Sequence, residues 1–170
     1  TCRAEHAKDI YTSISSLGIR PAGLLAQTSM RIEKRFLAYG HELDTDISPA
    51  EVGLDFAVDM KKEFTGRSAL QEKLETGAEN RIVSIVLDGN EGVPLGNEPV
   101  LHDGKIVGKT TSAAFGFRID APIAIADIIV PECRIDGTNV QINIAGQYFC
   151  GRIVNGAAFD PKGKKMRLKK

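Results

Sequence analysis

One carboxylate in the first third of the chain stands among cations: Glu33, in the run Arg31-Ile32-Glu33-Lys34-Arg35. Its local sequence leaves two readings open. On a solvated helix face it would pair weakly with its neighbours. In a pocket, the two oxygens of one carboxylate match two parallel N–H donors on a flat amino-heterocycle. Further along, Lys61, Lys62 and Arg67 offer cations for the acidic end of the same ligand, or for an exposed charged loop. Between the two groups lies an aromatic-glycine step, Tyr39-Gly40. Other chemistries lack their residues. No GxSxG is present, His6, His41 and His102 are scattered, and Gly104 to Gly108 lies in a hairpin rather than a strand-turn-helix phosphate cradle. Cys2, Cys133 and Cys150 form no CxxC or Cys/His ligand spacing, which predicts no metal site and free thiols in a reducing compartment.

The elements that must hold these residues fall into two halves. Ala7, Ile10, Ile14 and Leu17 share a face over Ala4 to Leu17, predicting an amphipathic helix stopped by Gly18. Arg20-Pro21-Ala22-Gly23 is a turn, and low β-branched content favours a helix over Gln27 to Ala38. Ser48-Pro49-Ala50-Glu51 has the form of a capped helix start, with Gly53 cutting the helix short. Leu54 to Val58 reads as a short strand, and Ser68 to Leu74 as a short helix closed near Gly77. From Arg81 the pattern turns to β. Ile82 to Leu87 is a strand. Asp103-Gly104 is a two-residue hairpin signal between Pro99–His102 and Lys105–Thr111. Ile123 to Val130 is an apolar strand, and two arms, Val140 to Ile144 and Gln147 to Val154, flank Ala145-Gly146. Six short strands with turns between them predict a small antiparallel barrel.

Composition sets outer limits. At 170 residues, with Lys+Arg 22 against Asp+Glu 22, the chain can bury a core and carries no net charge. That balance argues against a phosphate-neutralising nucleic-acid binder, since the basic excess gathers only in the last residues and the strands lack aromatics for base stacking. No apolar run approaches the roughly 20 residues that span a bilayer, and the N-terminus lacks the apolar core of a signal peptide. The expected setting is cytoplasmic, or the mitochondrial matrix in a eukaryote.

A resemblance narrows these alternatives. Arg31-Ile32-Glu33, Tyr39-Gly40-His41-Glu42-Leu43, Pro49-Ala50-Glu51-Val52-Gly53-Leu54 and Phe64-Thr65-Gly66-Arg67-Ser68-Ala69-Leu70 follow one another in order. This series resembles the folate-binding region of the aminomethyltransferase (glycine-cleavage T-protein) family. Gly96-Asn97-Glu98-Pro99-Val100, Val107 to Ser112 and Phe159-Asp160-Pro161 resemble that family's C-terminal domain. Arg20-Pro21-Ala22-Gly23 and the Glu33-Lys34 pair look most like the C-terminal parts of dimethylglycine and sarcosine dehydrogenases, which join a flavin part to a folate-binding part. The resemblance implies an α+β fold: the C-terminal part of a folate-binding domain over residues 1–78, an antiparallel β-barrel over 79–160, and a basic tail over 161–170. It implies tetrahydrofolate as cofactor, Glu33 on the pterin ring, and Lys61, Lys62 or Arg67 near the polar tail, with Tyr39 a weaker candidate. It places the family's catalytic aspartate, and any FAD fingerprint, upstream of Thr1. The expectation is then part of a one-carbon transferase, within a larger amine-demethylating flavoprotein or the glycine cleavage system. Its partners would be folate, a small amine-derived one-carbon donor, and the rest of its own polypeptide or a flavin protein, with no nucleic acid and no membrane. The alternative is a non-catalytic folate-binding or regulatory protein of the same fold.

Overall fold

A computed structural model describes residues 1–165 and Arg167. Six strands close into an antiparallel barrel: β1 (Arg81–Leu87), β2 (Pro99–His102), β3 (Lys105–Gly116), β4 (Ala121–Ile128), β5 (Asn139–Ile144) and β6 (Gln147–Val154). Their order around the barrel is β1-β4-β3-β2-β5-β6. The tight turns carry the residues their backbone demands. Asp103 and Gly104 join β2 to β3, and Ala145 and Gly146 join β5 to β6, with both residues of each pair at positive φ. Gly108 permits the closest strand approach, since a Cβ there would lie 2.1 Å from the Asp127 carbonyl oxygen.

Strands β1 and β4 are buried on both faces, which explains their nearly unbroken apolar sequences. Inward, Val83, Ile85, Leu87, Ala124, Ala126 and Ile128 fill the barrel with Val100, Val107, Val140, Ile142 and Ile153. Outward, Ile82, Ile123 and Ile125 pack against Ile32 and Val52. That second core holds the helical half on the barrel. The helices are α1 (Ala7–Ser15), α2 (Leu24–Glu33), α3 (Pro49–Val52) and α4 (Arg67–Thr76). The predicted capping box opens α3: the Ser48 amide donates to Glu51 Oε2 at 2.6 Å.

Two local expectations are corrected. The second helix ends at Glu33, not Ala38, because a Schellman motif closes it. The Phe36 amide donates to the Arg31 carbonyl at 2.7 Å and the Arg35 amide to Ile32 at 2.9 Å. Arg35 takes the left-handed position at φ 52° that glycine usually fills. Residues 54–58 form no strand. Asp55–Ala57 is a 3-10 turn following the left-handed Gly53; Leu54 packs at the edge of the second core, while Phe56 in the middle of the turn is 82% exposed.

Residues 1–27 are exposed throughout, and no residue of α1 is buried, Ile10 and Ile14 on its apolar face included. Of the expected basic tail, Met166 and residues 168–170 lie outside the described residues. Among the described residues, no helix is long and apolar enough to cross a membrane.

Candidate functional site

The site begins at the C-terminal end of α2. Ile32 points into the inter-layer core and is fully buried, so its neighbour Glu33 is carried into the junction between helix and barrel. Glu33 is 1% exposed. Its Oε1 accepts the backbone amides of Arg118 (2.6 Å) and Ile119 (3.1 Å), at the turn between β3 and β4. Its own carbonyl accepts the Phe159 amide at 3.0 Å. Gly116 leaves room for this, because a Cβ there would sit 3.1 Å from Glu33 Cγ. Oε2 makes no hydrogen bond among the described residues. Oε2 is not sealed off, since the buried side-chain atoms without a partner among the described residues are Arg35 Nε and Asp127 Oδ1; it is an acceptor open to the cavity.

Glu33 lines a cavity of about 600 Å³ with Met30, Phe36, Leu37 and Phe159 as apolar wall. Four cations also line it. Arg31 is engaged with Glu42 Oε2 (3.2 Å) and Ser112 Oγ (2.8 Å). Lys34 is engaged with the Asp160 carbonyl (2.6 Å) and carboxylate (3.4 Å). Arg118 and Lys165 lie over the Phe159 ring, 5.5 and 4.9 Å from its centroid. Asp160 anchors this last wall: its side chain is 7% exposed and accepts the Lys164 and Lys165 amides at 2.9 and 3.1 Å. Burial would push that carboxyl up, but the two amides and Lys34 outweigh it and hold it below the usual aspartate range.

Behind the cavity wall, Glu42 is fully buried. It accepts Arg31, the Ala38 amide (3.0 Å) and Thr111 Oγ1 (2.9 Å). A register shift in β3 between Thr110 and Ser112 sits at this contact, where both Thr111 and Ser112 face the helical half.

The structure separates the other sequence-predicted residues from Glu33. Tyr39 is 72% exposed and lies on a short parallel bridge to Leu43. Lys61 is exposed, its amide bound to Asp59 Oδ1 at 3.1 Å. Lys62 lines a different cavity of about 770 Å³, with Phe64, Ala69 and Lys73. Arg67 donates to the Met60 carbonyl at 3.0 Å and pairs with Glu63 at 3.4 Å. The 770 Å³ cavity is the larger of the two, but the carboxylates that line it (Asp46, Asp59 and Glu63) are exposed, whereas the Glu33 cavity is built around a buried one. Arg118, Phe159 and Lys165 escaped sequence reasoning, because nothing in their spacing connects them to residue 33. Among the described residues, no group of His, Cys, Asp and Glu side chains could hold a metal ion.

The helical half and the closed six-stranded barrel each match a known family model. The GCVT N-terminal domain model matches residues 1–62, and the glycine cleavage T-protein C-terminal barrel domain matches residues 80–160. The chain belongs to the aminomethyltransferase (glycine-cleavage T-protein) family. An aminomethyltransferase of Synechococcus sp. (strain CC9902) is 34% identical over 146 residues, covering 85% of this chain and 40% of the relative. Mitochondrial dimethylglycine dehydrogenase of Rattus norvegicus is 30% identical over 174 residues, covering 99% of this chain and 20% of that enzyme. The crystal structure of glycine cleavage system aminomethyltransferase T from Bartonella henselae shares the fold at a TM-score of 0.78 and 23% identity. It matches over 90% of this chain and 43% of its own. The chain thus spans well under half the length of each of these relatives.

Proposed function

We propose that this chain supplies one wall of the tetrahydrofolate site of an aminomethyl or one-carbon transferase, of the glycine-cleavage or the dimethylglycine or sarcosine dehydrogenase type, with Glu33 contacting the pterin ring. The observation that carries the reading is the division of labour within one carboxylate. Oε1 is filled by two main-chain donors, while Oε2 has none among the described residues and borders a cavity with an apolar wall. A flat ring with adjacent N–H groups completes Oε2, and its faces find Met30, Phe36, Leu37 and Phe159. The two-oxygen match foreseen from sequence becomes a contact through Oε2 alone. Bound folate supplies a nitrogen nucleophile that accepts the one-carbon unit. This chain's residues orient the ring and keep water from it, which serves proximity rather than proton transfer. The catalytic aspartate and the amine donor's site are assigned to the rest of a longer polypeptide.

Glu33→Gln tests the reading. Its amide oxygen still serves the Arg118 and Ile119 N–H groups, while its NH₂ presents donors where the ligand needs an acceptor. Losing a hydrogen bond to a charged group, about 1.5–3 kcal/mol, predicts weakening on the order of 10- to 150-fold. An NMR titration with tetrahydrofolate reads this even where binding is weak, with the Arg118 and Ile119 amides as reporters. Equal affinity for the variant and the parent chain would sink the proposal.

A further inference from the structure

Another cavity, of about 570 Å³, shares Lys34, Phe36 and Leu37 with the Glu33 cavity. Its wall is the edge of the second core, formed by Leu37, Leu43, Val52 and Leu54. Phe36 and Phe56 are its exposed residues. No acidic residue lines it, and two cations do. Lys34 is taken by Asp160, but Arg35 has no ion pair among the described residues.

Arg35 carries two costs at once. It sits at φ 52°, where glycine would close the helix without strain. Its guanidinium is also incompletely satisfied. Nη2 donates to the Ile82 carbonyl, and Nε is buried with no acceptor among the described residues. Nη1 makes no hydrogen bond among those residues yet is not sealed off. Burial, and then a second cation, Arg81, disfavour the charge and hold its pKa below the usual arginine value. Glycine would end α2 with neither cost, and strain gathered at one residue points to function. An anion brought to Nη1 from the cavity would compensate the charge.

The ligand's class follows from the groups on offer. One open cation matches one negative charge, whereas a dianion would leave a charge without a donor. The apolar wall and the two phenyl rings match a body without polar groups. We propose that Arg35 anchors a second ligand site in this cavity, for a monocarboxylate with an apolar body. The proposal is independent of the folate reading, because Glu33 takes no part in it.

Octanoate, 1-octanol and acetate separate the charge from the body. Each is titrated by NMR into the parent chain and its Arg35→Gln variant, with the Gly53, Leu54 and Gly156 amides as reporters. In the parent chain octanoate binds about 10-fold more tightly than octanol, the yield of one hydrogen bond to a charged group. Acetate, which lacks the body, does not saturate. In Arg35→Gln the preference for octanoate falls to about one while octanol binds as before, and unmoved Arg118 and Ile119 amides show that the fold is intact. Octanoate and octanol binding alike in the parent chain, shifts gathered at other amides, or no binding of octanoate overturns the proposal, and the parent chain alone decides all three. A preference that survives in Arg35→Gln also overturns it, because the charge that reads the carboxylate then lies elsewhere.

Discussion

Replacing Glu42 by alanine should strand Arg31 and loosen the helical layer from the barrel. Glu42 has no exposed side-chain surface and Arg31 only 16%, so their 3.2 Å pair is largely shielded from water. Three donors converge on this carboxylate: Arg31, the Ala38 amide and Thr111 Oγ1. After the substitution Thr111 keeps the Ile125 carbonyl at 3.1 Å, and Arg31 keeps Ser112 Oγ and the Phe36 carbonyl. The Ala38 amide keeps nothing. Removing one member of a buried pair costs about 3–5 kcal/mol, and the acceptors left to Arg31 put this case near ~3 kcal/mol. With a urea slope of about 2–3 kcal/mol/M, the unfolding midpoint followed by circular dichroism should fall by roughly 1–1.5 M. Arg31→Met on the Glu42→Ala background should recover part of the loss, because the uncompensated charge goes with it. A midpoint shift under about 0.3 M, or strict additivity in the double variant, would refute the view that this pair fastens the two layers.

Two further outcomes follow from the barrel. Burial pushes the Asp127 carboxyl up, with Lys109 opposing and Glu51 adding to the rise, and its Oδ1 is buried without a partner. Between the unfolded and the raised folded value the folded chain binds more protons, so stability falls as pH rises through that window. Asp127→Asn should thus have a higher urea midpoint than the parent at neutral pH and an equal one below the ordinary aspartate range. Separately, Gly108→Ala forces a Cβ to within 2.1 Å of the Asp127 carbonyl oxygen and should cost about 3 kcal/mol or more. Gly23→Ala, with nothing within 4 Å and an ordinary backbone, should leave the urea midpoint unchanged.

Much of the scaffold was legible because its signals are local. Asp103-Gly104 needs no distant partner to make a turn, and Ser48 and Glu51 cap their own helix. The errors arose where a local rule was overridden. Arg35 fills a position that glycine usually signals, so the end of α2 was invisible in the sequence. The apolar residues of 54–58 suggested a strand, but a strand needs a ladder partner and none reaches them. The site was legible only in part for the same reason. Glu33 stood out by its charged neighbours, yet burial and donors 85 residues away define it. Lys61, Lys62 and Arg67 stood out by charge alone, and charge says nothing about which cavity a side chain borders.

On the proposed reading, ligand binding and architecture are linked at Glu33. Its carbonyl holds Phe159, its Oε1 holds the turn between β3 and β4, and its helix packs through Ile32 on the barrel face. Three segments distant in sequence therefore meet at one residue, and all three contribute to the cavity. A ligand completing Oε2 binds only when those segments are docked, so it must stabilise the docked arrangement by RT ln(1 + [L]/Kd). The converse also holds. Any change that loosens the layers, Glu42→Ala included, weakens the ligand without touching it, because part of the binding free energy is then spent on redocking the helix. A loss of affinity in that variant, matched by recovery in the Arg31→Met double variant, would distinguish this coupling from a direct contact.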